Sequence, residues 1–139
     1  MKILVVNGPN LDMLGKRNAE HYGSFSLDKL NCSVKAYGEG KGAKIKCVQT
    51  NDEGKMIDIL HKTKADGVIL NAGAFTHYSY ALRDAVEILT VPVAEVHLSD
   101  VENREDFRKV DVFDGVVAAK FCGKKMQSYF DAVDFLVKQ

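Results

Sequence analysis

Four stretches concentrate the side chains able to move protons or grip an anion. Asn7-Gly8-Pro9-Asn10 is followed closely by Lys16, Arg17, His21 and Tyr22. Gln49-Thr50-Asn51-Asp52-Glu53-Gly54 carries amides and carboxylates, and Asn71-Ala72-Gly73-Ala74-Phe75-Thr76-His77 joins an amide to a histidine through small residues. Glu95-Val96-His97-Leu98-Ser99 sets a carboxylate two residues from another histidine. Guanidinium groups grip carboxylates, amides read hydroxyls, and tyrosine and histidine transfer protons. The set suits proton-transfer chemistry on an anionic, hydroxylated substrate. Other chemistries lack their residues: the chain has no G-x-G-x-x-G and no G-x-x-x-x-G-K-[ST], so neither dinucleotide nor nucleoside-triphosphate binding is supported. No C-x-x-C, H-x-x-x-H or paired-carboxylate motif proposes a metal site, and G-x-S-x-G is missing.

Taken singly, each residue also has an ordinary structural reading. Asparagine before glycine or proline is turn chemistry, Asn10 alone is a capping residue, and Gly73 alone serves a turn. Thr76 or Asn51 alone is a helix N-cap. His61, beside Lys62 and Lys64, reads as solvated surface. A lone His97 is more often a hydrogen-bonded structural histidine than a catalyst. Convergence shifts the balance, because Asn10, Asn71, His77 and His97 all fall just beyond the predicted strands, where one crevice collects them.

The strands are five short apolar runs, Ile3–Val6, Ile45–Val48, Val68–Leu70, Val93–Val96 and Val116–Ala119, which read as buried parallel strands. Between and after them lie segments of helical period. One carries Leu27, Leu30, Val34 and Tyr37; another Tyr78, Ala81, Leu82, Ala85, Val86 and Leu89; the last Met126, Tyr129, Phe130, Val133, Leu136 and Val137. Residues three and four apart share a helical face, so each segment has a stripe to lay on a sheet. This alternation predicts an α/β fold, a flavodoxin-like doubly wound five-stranded parallel sheet in a single catalytic domain spanning residues 1–139. Ligands bind such sheets beyond the carboxyl ends of the strands. The loop holding Arg17 and Tyr22 reads as a functional lid, and Glu95 and His97 point to one face of their strand. Arg83 and Asp84 point away from the sheet.

Lysine plus arginine equals aspartate plus glutamate, 19 against 19, so no net field draws the chain to nucleic acid or to an anionic membrane. The N-terminal apolar run is too short for a signal-peptide core or a membrane span, which sets the expectation of a soluble, cytoplasmic protein. Cys32, Cys47 and Cys122 are odd in number and form no C-x-x-C pair, so they read as reduced, small buried packing residues.

The motifs also carry a resemblance. V-N-G-P-N-L-x-x-L-G-x-R-x-x-x-x-Y-G from Val6 to Gly23, Q-T-N-D-E-G, N-A-G-A-F-T-H, A-L-R-D-A from Ala81 to Ala85, E-V-H-L-S and the run Arg104-Glu105-Asp106-Phe107-Arg108 follow in order and reach Cys122-Gly123. Together they resemble the type II 3-dehydroquinate dehydratases. The resemblance implies a carbon–oxygen lyase of the shikimate pathway that converts 3-dehydroquinate to 3-dehydroshikimate and water through an enolate. It implies no cofactor and no metal, and a homo-oligomer, a dodecamer built of trimers. Carried over by position, Tyr22 is the general base, Arg17 favours its phenolate, and Asn10 holds a water against the enolate oxygen. His97 is the general acid, oriented by Glu95. Asn71, His77, Leu98, Ser99 and Arg108 bind substrate, and Asp84 reaches into a neighbouring subunit's site.

Three departures stand out. Asn18-Ala19 replaces a common glutamate-proline, with the expectation of a looser lid, a histidine-alanine-arginine run is altered around Glu102-Asn103-Arg104, and Lys109-Val110-Asp111-Val112 replaces a histidine-serine continuation. On residues alone, a non-catalytic module that binds a small carboxylate or phosphate stays open, as does the same reaction serving quinate breakdown. For a base and an acid of these types, the expectation is a bell-shaped pH profile, with a guanidinium favouring the phenolate and the Glu95 carboxylate favouring a charged His97.

Overall fold

The computed structural model describes residues 1–139. Five strands form one sheet: β1 (Lys2–Asn7), β2 (Lys44–Gln49), β3 (Gly67–Asn71), β4 (Val93–His97) and β5 (Ala119–Cys122). All pairings are parallel and the order is β2-β1-β3-β4-β5, the flavodoxin-like arrangement. Five helices accompany them: α1 (Ala19–Tyr22), α2 (Leu27–Gly40), α3 (Glu53–Lys62), α4 (Tyr80–Ile88) and α5 (Met126–Val137).

Strand side chains alternate between two cores. Ile3, Val5, Ile69, Ala94 and Val96 meet Leu30 and Val34 of α2 and Tyr129, Ala132, Val133 and Leu136 of α5. Leu4, Val6, Val68, Leu70 and Val93 meet Met56 and Leu60 of α3 and Leu82, Ala85 and Val86 of α4. Truncating one of these, for example Leu82→Ala, is expected to cost about 2–5 kcal/mol. Ser26, Asp52 and Ser79 accept from backbone amides of the first turns of α2, α3 and α4, satisfying donors that the helix leaves unpaired. No helix is long and apolar enough to cross a membrane.

Several sequence expectations need correcting. The fifth strand begins at Ala119 and runs to Cys122, whereas Val116 and Val117 pack in a turn against the second core. Gly115 has φ 91°, so the chain bends there, and an apolar run by itself does not set where pairing starts. Tyr78 and Ala81 are exposed and leave the apolar stripe of α4. Cys32 is exposed and the other two cysteines are half-buried; all three are free thiols. Tyr22 does not sit on a loop but ends α1. The departure at Asn18 supplies the cap of that helix, its side chain accepting from Glu20 N at 2.9 Å. His61 is exposed, as expected.

Candidate active site

The first strand turns through Gly8, where an added Cβ would lie 2.7 Å from Ala72 O. Only glycine lets the turns after β1 and β3 approach so closely. Gly73, at φ 58°, sits against Pro9 in the same contact. Asn10 follows with φ 70°, a left-handed conformation that asparagine tolerates. Its amide nitrogen donates to Asn51 Oδ1 at 3.0 Å, and Gln49 Nε2 donates to Gly8 O and Asn51 Oδ1. The Gln49–Asn51 stretch therefore braces the turn, and Asp52, not Asn51, caps α3. The Asn10 side chain makes no cap hydrogen bond, so it is free for the crevice.

Beyond the carboxyl ends of β1, β3 and β4 lies a crevice of about 110 Å³. Its walls include Asn10, Arg17, Tyr22, Asn71, His77, His97, Leu98, Ser99 and Arg108, so nine of the eleven residues expected from the sequence meet there. Glu95 lies beneath His97 with no exposure. Asp84 is exposed on the outer face of α4, outside this crevice. A larger open groove of about 750 Å³ lies elsewhere, along β1, β2 and α3, and contains none of these residues.

Cations gather around the tyrosine. The Arg17 guanidinium stacks on the Tyr22 ring, 3.6 Å from its centroid. Arg104, which sequence reasoning had left unassigned, reaches the phenol itself: Nη1 donates to the Tyr22 oxygen at 2.5 Å and to Ser99 Oγ at 3.3 Å. Partial burial lowers the proton affinity of Arg17, Tyr22 works against that, and the Arg104 and Arg108 charges add to the lowering. Arg108 is tied by Nε to Glu105 at 2.5 Å.

Asn71 is committed on both sides. Its Nδ2 donates to Tyr129 OH at 2.8 Å, and its Oδ1 accepts from Gly73 N at 3.1 Å. Tyr129 OH in turn donates to Asn7 Oδ1 at 2.6 Å, and burial pushes that phenol far above its ordinary range. This buried network orients the asparagine at the crevice floor. His77 Nδ1 lies 2.7 Å from Val110 O; donation to that carbonyl makes Nδ1 the protonated nitrogen and leaves Nε2 as an acceptor.

On the opposite wall His97 Nε2 lies 2.6 Å from Glu95 Oε2. Both belong to β4, two residues apart, and both are buried. Burial is the largest influence on each: it pushes Glu95 up to about 10, with Asp111 adding to the rise, and His97 down to about 4. The expected pairing of Glu95 with His97 is present, but burial opposes charge on either partner, because charge is costly where water is excluded. Asp111 lies close by, and ligand atoms of Glu95, His97 and Asp111 come within 4.8 Å of one another. A cation could bridge such a trio, but the positive charge there is the Lys120 ammonium, 2.9 Å from Asp111 Oδ2.

The model of the family Dehydroquinase class II matches residues 1–137. The 3-dehydroquinate dehydratase of Thermotoga maritima is 45% identical over 139 residues, covering 100% of this chain and 96% of that one. The 3-dehydroquinate dehydratase of Pelotomaculum thermopropionicum is 47% identical over 135 residues, 96% of this chain and 94% of that one. The crystal structure of type II dehydroquinase from Butyrivibrio crossotus superposes with a TM-score of 0.95 at 39% identity, covering 98% of this chain and 97% of that one. Full-length likeness in sequence and in fold leads to one conclusion: the chain belongs to the class II dehydroquinase family.

Proposed function

We propose that this chain is a dehydratase acting on 3-dehydroquinate, a carbon–oxygen lyase of the shikimate pathway, and that Tyr22 and His97 are its base and acid. The observation that carries the reading is the pairing of two proton-transfer groups in one crevice. A phenol under two guanidinium groups and an imidazole backed by a buried carboxyl both line it.

Tyr22, as phenolate, takes the proton from the carbon beside the ketone; the C–H electron pair forms the C=C bond of the enolate, and the carbonyl π pair moves onto oxygen. The guanidinium groups of Arg104 and Arg17 favour that phenolate. Asn10, whose side chain is uncommitted, holds a water against the enolate oxygen. The enolate then collapses, the C–O bond to the β-hydroxyl breaks, and His97 protonates the departing oxygen to give water and a conjugated enone. Because Nε2 faces Glu95, Nδ1 is the nitrogen that serves substrate. Burial disfavours a charged imidazole, so Nδ1 takes up a proton from solvent as the substrate's carboxylate brings negative charge into the crevice, and that proton goes to the leaving hydroxyl. Arg108, His77, Ser99, Leu98 and Asn71 fix the carboxylate and hydroxyls.

Asp84 serves a neighbouring subunit in a homo-oligomer, a dodecamer of trimers. Tyr80, Asp84 and Ile88 follow one another at four-residue spacing on α4, and Tyr80 and Ile88 are 69% and 66% exposed. Two bared apolar side chains flanking a carboxylate suit a subunit contact.

The test of the reaction is to add 3-dehydroquinate to the pure protein and follow the enone by ultraviolet absorbance. Growth of the enone band supports the reading. A folded protein that binds the compound and leaves it unchanged would favour a binding module instead.

A further inference from the structure

The replaced histidine-serine segment puts a carboxyl where the acid wall is closed. Asp111 is 3% exposed at its side chain and accepts from Phe113 N at 2.8 Å through Oδ1. Its other oxygen, Oδ2, lies 2.9 Å from Lys120 Nζ. That contact is an ion pair without hydrogen-bond alignment: Asp111 Oδ2 and Glu95 Oε1 are both buried with no hydrogen-bond partner. Lys120 is the register partner of Glu95 on the adjacent strand β5. A buried carboxyl oxygen with no donor is costly, and two such oxygens on neighbouring acids are relieved together by one proton between them.

We propose that Asp111, clamped by Lys120, is a positioning residue that shares one proton with Glu95 and so keeps a neutral carboxyl behind His97. The proposal concerns the acid assigned above and rests on that assignment only for its catalytic meaning. Glu95 Oε1–H donates to Asp111, and Glu95 Oε2 accepts from His97 Nε2–H. Asp111 stays ionised: burial opposes this, but the shared Glu95 proton, the Lys120 ammonium and the Phe113 N–H outweigh it. The other groups facing the pair are Asp114, which favours the proton on Glu95, and His77, whose charge would disfavour a charged His97. An imidazole backed by a neutral carboxyl is a stronger acid, once loaded, than one locked in an ion pair with a carboxylate. The Asp111–Lys120 pair therefore sets the pH at which His97 takes up its proton.

The sign of one substitution separates this role from simple charge removal. Deleting a nearby negative charge should lower the proton affinity of His97. Under the proposal Asp111→Asn does the reverse, because Glu95 loses the partner that holds its proton, ionises, and places a carboxylate 2.6 Å from the imidazole. Titrating the His97 ring by NMR in the substrate-free protein should show the midpoint moving up by one pH unit or more in Asp111→Asn, with Lys120→Arg close to wild type. A midpoint that stays or falls in Asp111→Asn overturns the proposal. Infrared spectra in heavy water give a second reading on the unmutated fold. The wild type at neutral pH should carry a carboxylic-acid C=O band that Glu95→Gln removes; absence of that band from the wild type also overturns the proposal. Neither readout uses substrate, so the result stands apart from whether 3-dehydroquinate is turned over.

Discussion

On one wall of the crevice Tyr22 ends a helix of four residues beneath two guanidinium groups; on the other His97 ends a buried strand with a carboxyl under it. The base wall is made of cations carried by short irregular segments, and the acid wall is made by exclusion of water within the sheet. The two walls act on charge in opposite ways: the cations favour it on the base, and burial disfavours it on the acid. Cations favour a phenolate through Coulomb attraction, which solvent and salt weaken. Burial disfavours charge on both Glu95 and His97 whatever the salt, so that wall responds to what enters the crevice. Substitutions on the two walls should therefore differ in kind as well as size.

The largest effects are expected at the two proton-transfer groups. Tyr22→Phe and His97→Ala should each lower kcat by about 10²–10⁴, measured by enone formation, with thermal midpoints close to wild type. Near wild-type turnover in a folded Tyr22→Phe protein would remove the base from the account.

Next in size, the arginines should separate. Arg104 donates to the phenol oxygen, and a hydrogen bond to a charged group is worth about 1.5–3 kcal/mol, roughly a ten- to hundredfold loss of kcat for Arg104→Ala. Arg17 stacks on the ring face, a contact worth about 0.5–2 kcal/mol, so Arg17→Ala should lose less. The reverse ranking in pH-resolved kinetics would show that ring stacking, not the contact at oxygen, governs the base.

On the acid wall the sharper signature of Glu95→Gln is in stability. Glu95 has a raised proton affinity in the folded chain, so the folded protein keeps a proton that the unfolded chain sheds above about 4.5. The stability associated with that proton is fully present below 4.5 and is lost as pH rises towards about 10. Glutamine, always neutral, avoids this loss. Glu95→Gln should match wild type in thermal midpoint near pH 4 and exceed it by a few degrees at pH 8, by scanning calorimetry. A variant less stable than wild type at pH 8 would mean that Glu95 is ionised there.

The smallest effect on the chemistry is expected at Asp84, outside the chain's own crevice. Asp84→Ala should raise KM more than it lowers kcat, and light scattering should show a smaller assembly than the wild type's, for which the proposal expects twelve subunits. A fully active wild-type monomer would remove the intersubunit role.

Much of the fold was legible because its signals are local and periodic. Alternating side chains of β1 and the helical stripes of α2 and α5 each name their core face in the sequence. The fifth strand was displaced because Val116-Val117 is as apolar as a strand, and only the bend at Gly115 and pairing with β4 decide where the ladder begins. The crevice was legible in outline because Asn10, Asn71 and His97 directly follow or end strands that sit side by side. Arg104 escaped assignment because its reach to Tyr22 spans 82 residues and no spacing rule encodes it. The same holds for Asp111 and Lys120, whose meeting depends on the register of β5 with β4. The Glu95–His97 pairing was legible from their two-residue spacing, but the desolvation that opposes charge on both exists only in the folded sheet.

The central claim is a division of labour, Tyr22 removing the proton and His97 releasing the hydroxyl, and isotope exchange divides the two steps. 3-Dehydroquinate is incubated in heavy water with each variant, and NMR follows deuterium entering the carbon beside the ketone alongside enone formation. His97→Ala should continue to exchange that proton while dehydration falls by about 10²–10⁴, and Tyr22→Phe should lose exchange and dehydration together. Exchange that survives in Tyr22→Phe, or vanishes in His97→Ala, would contradict the account.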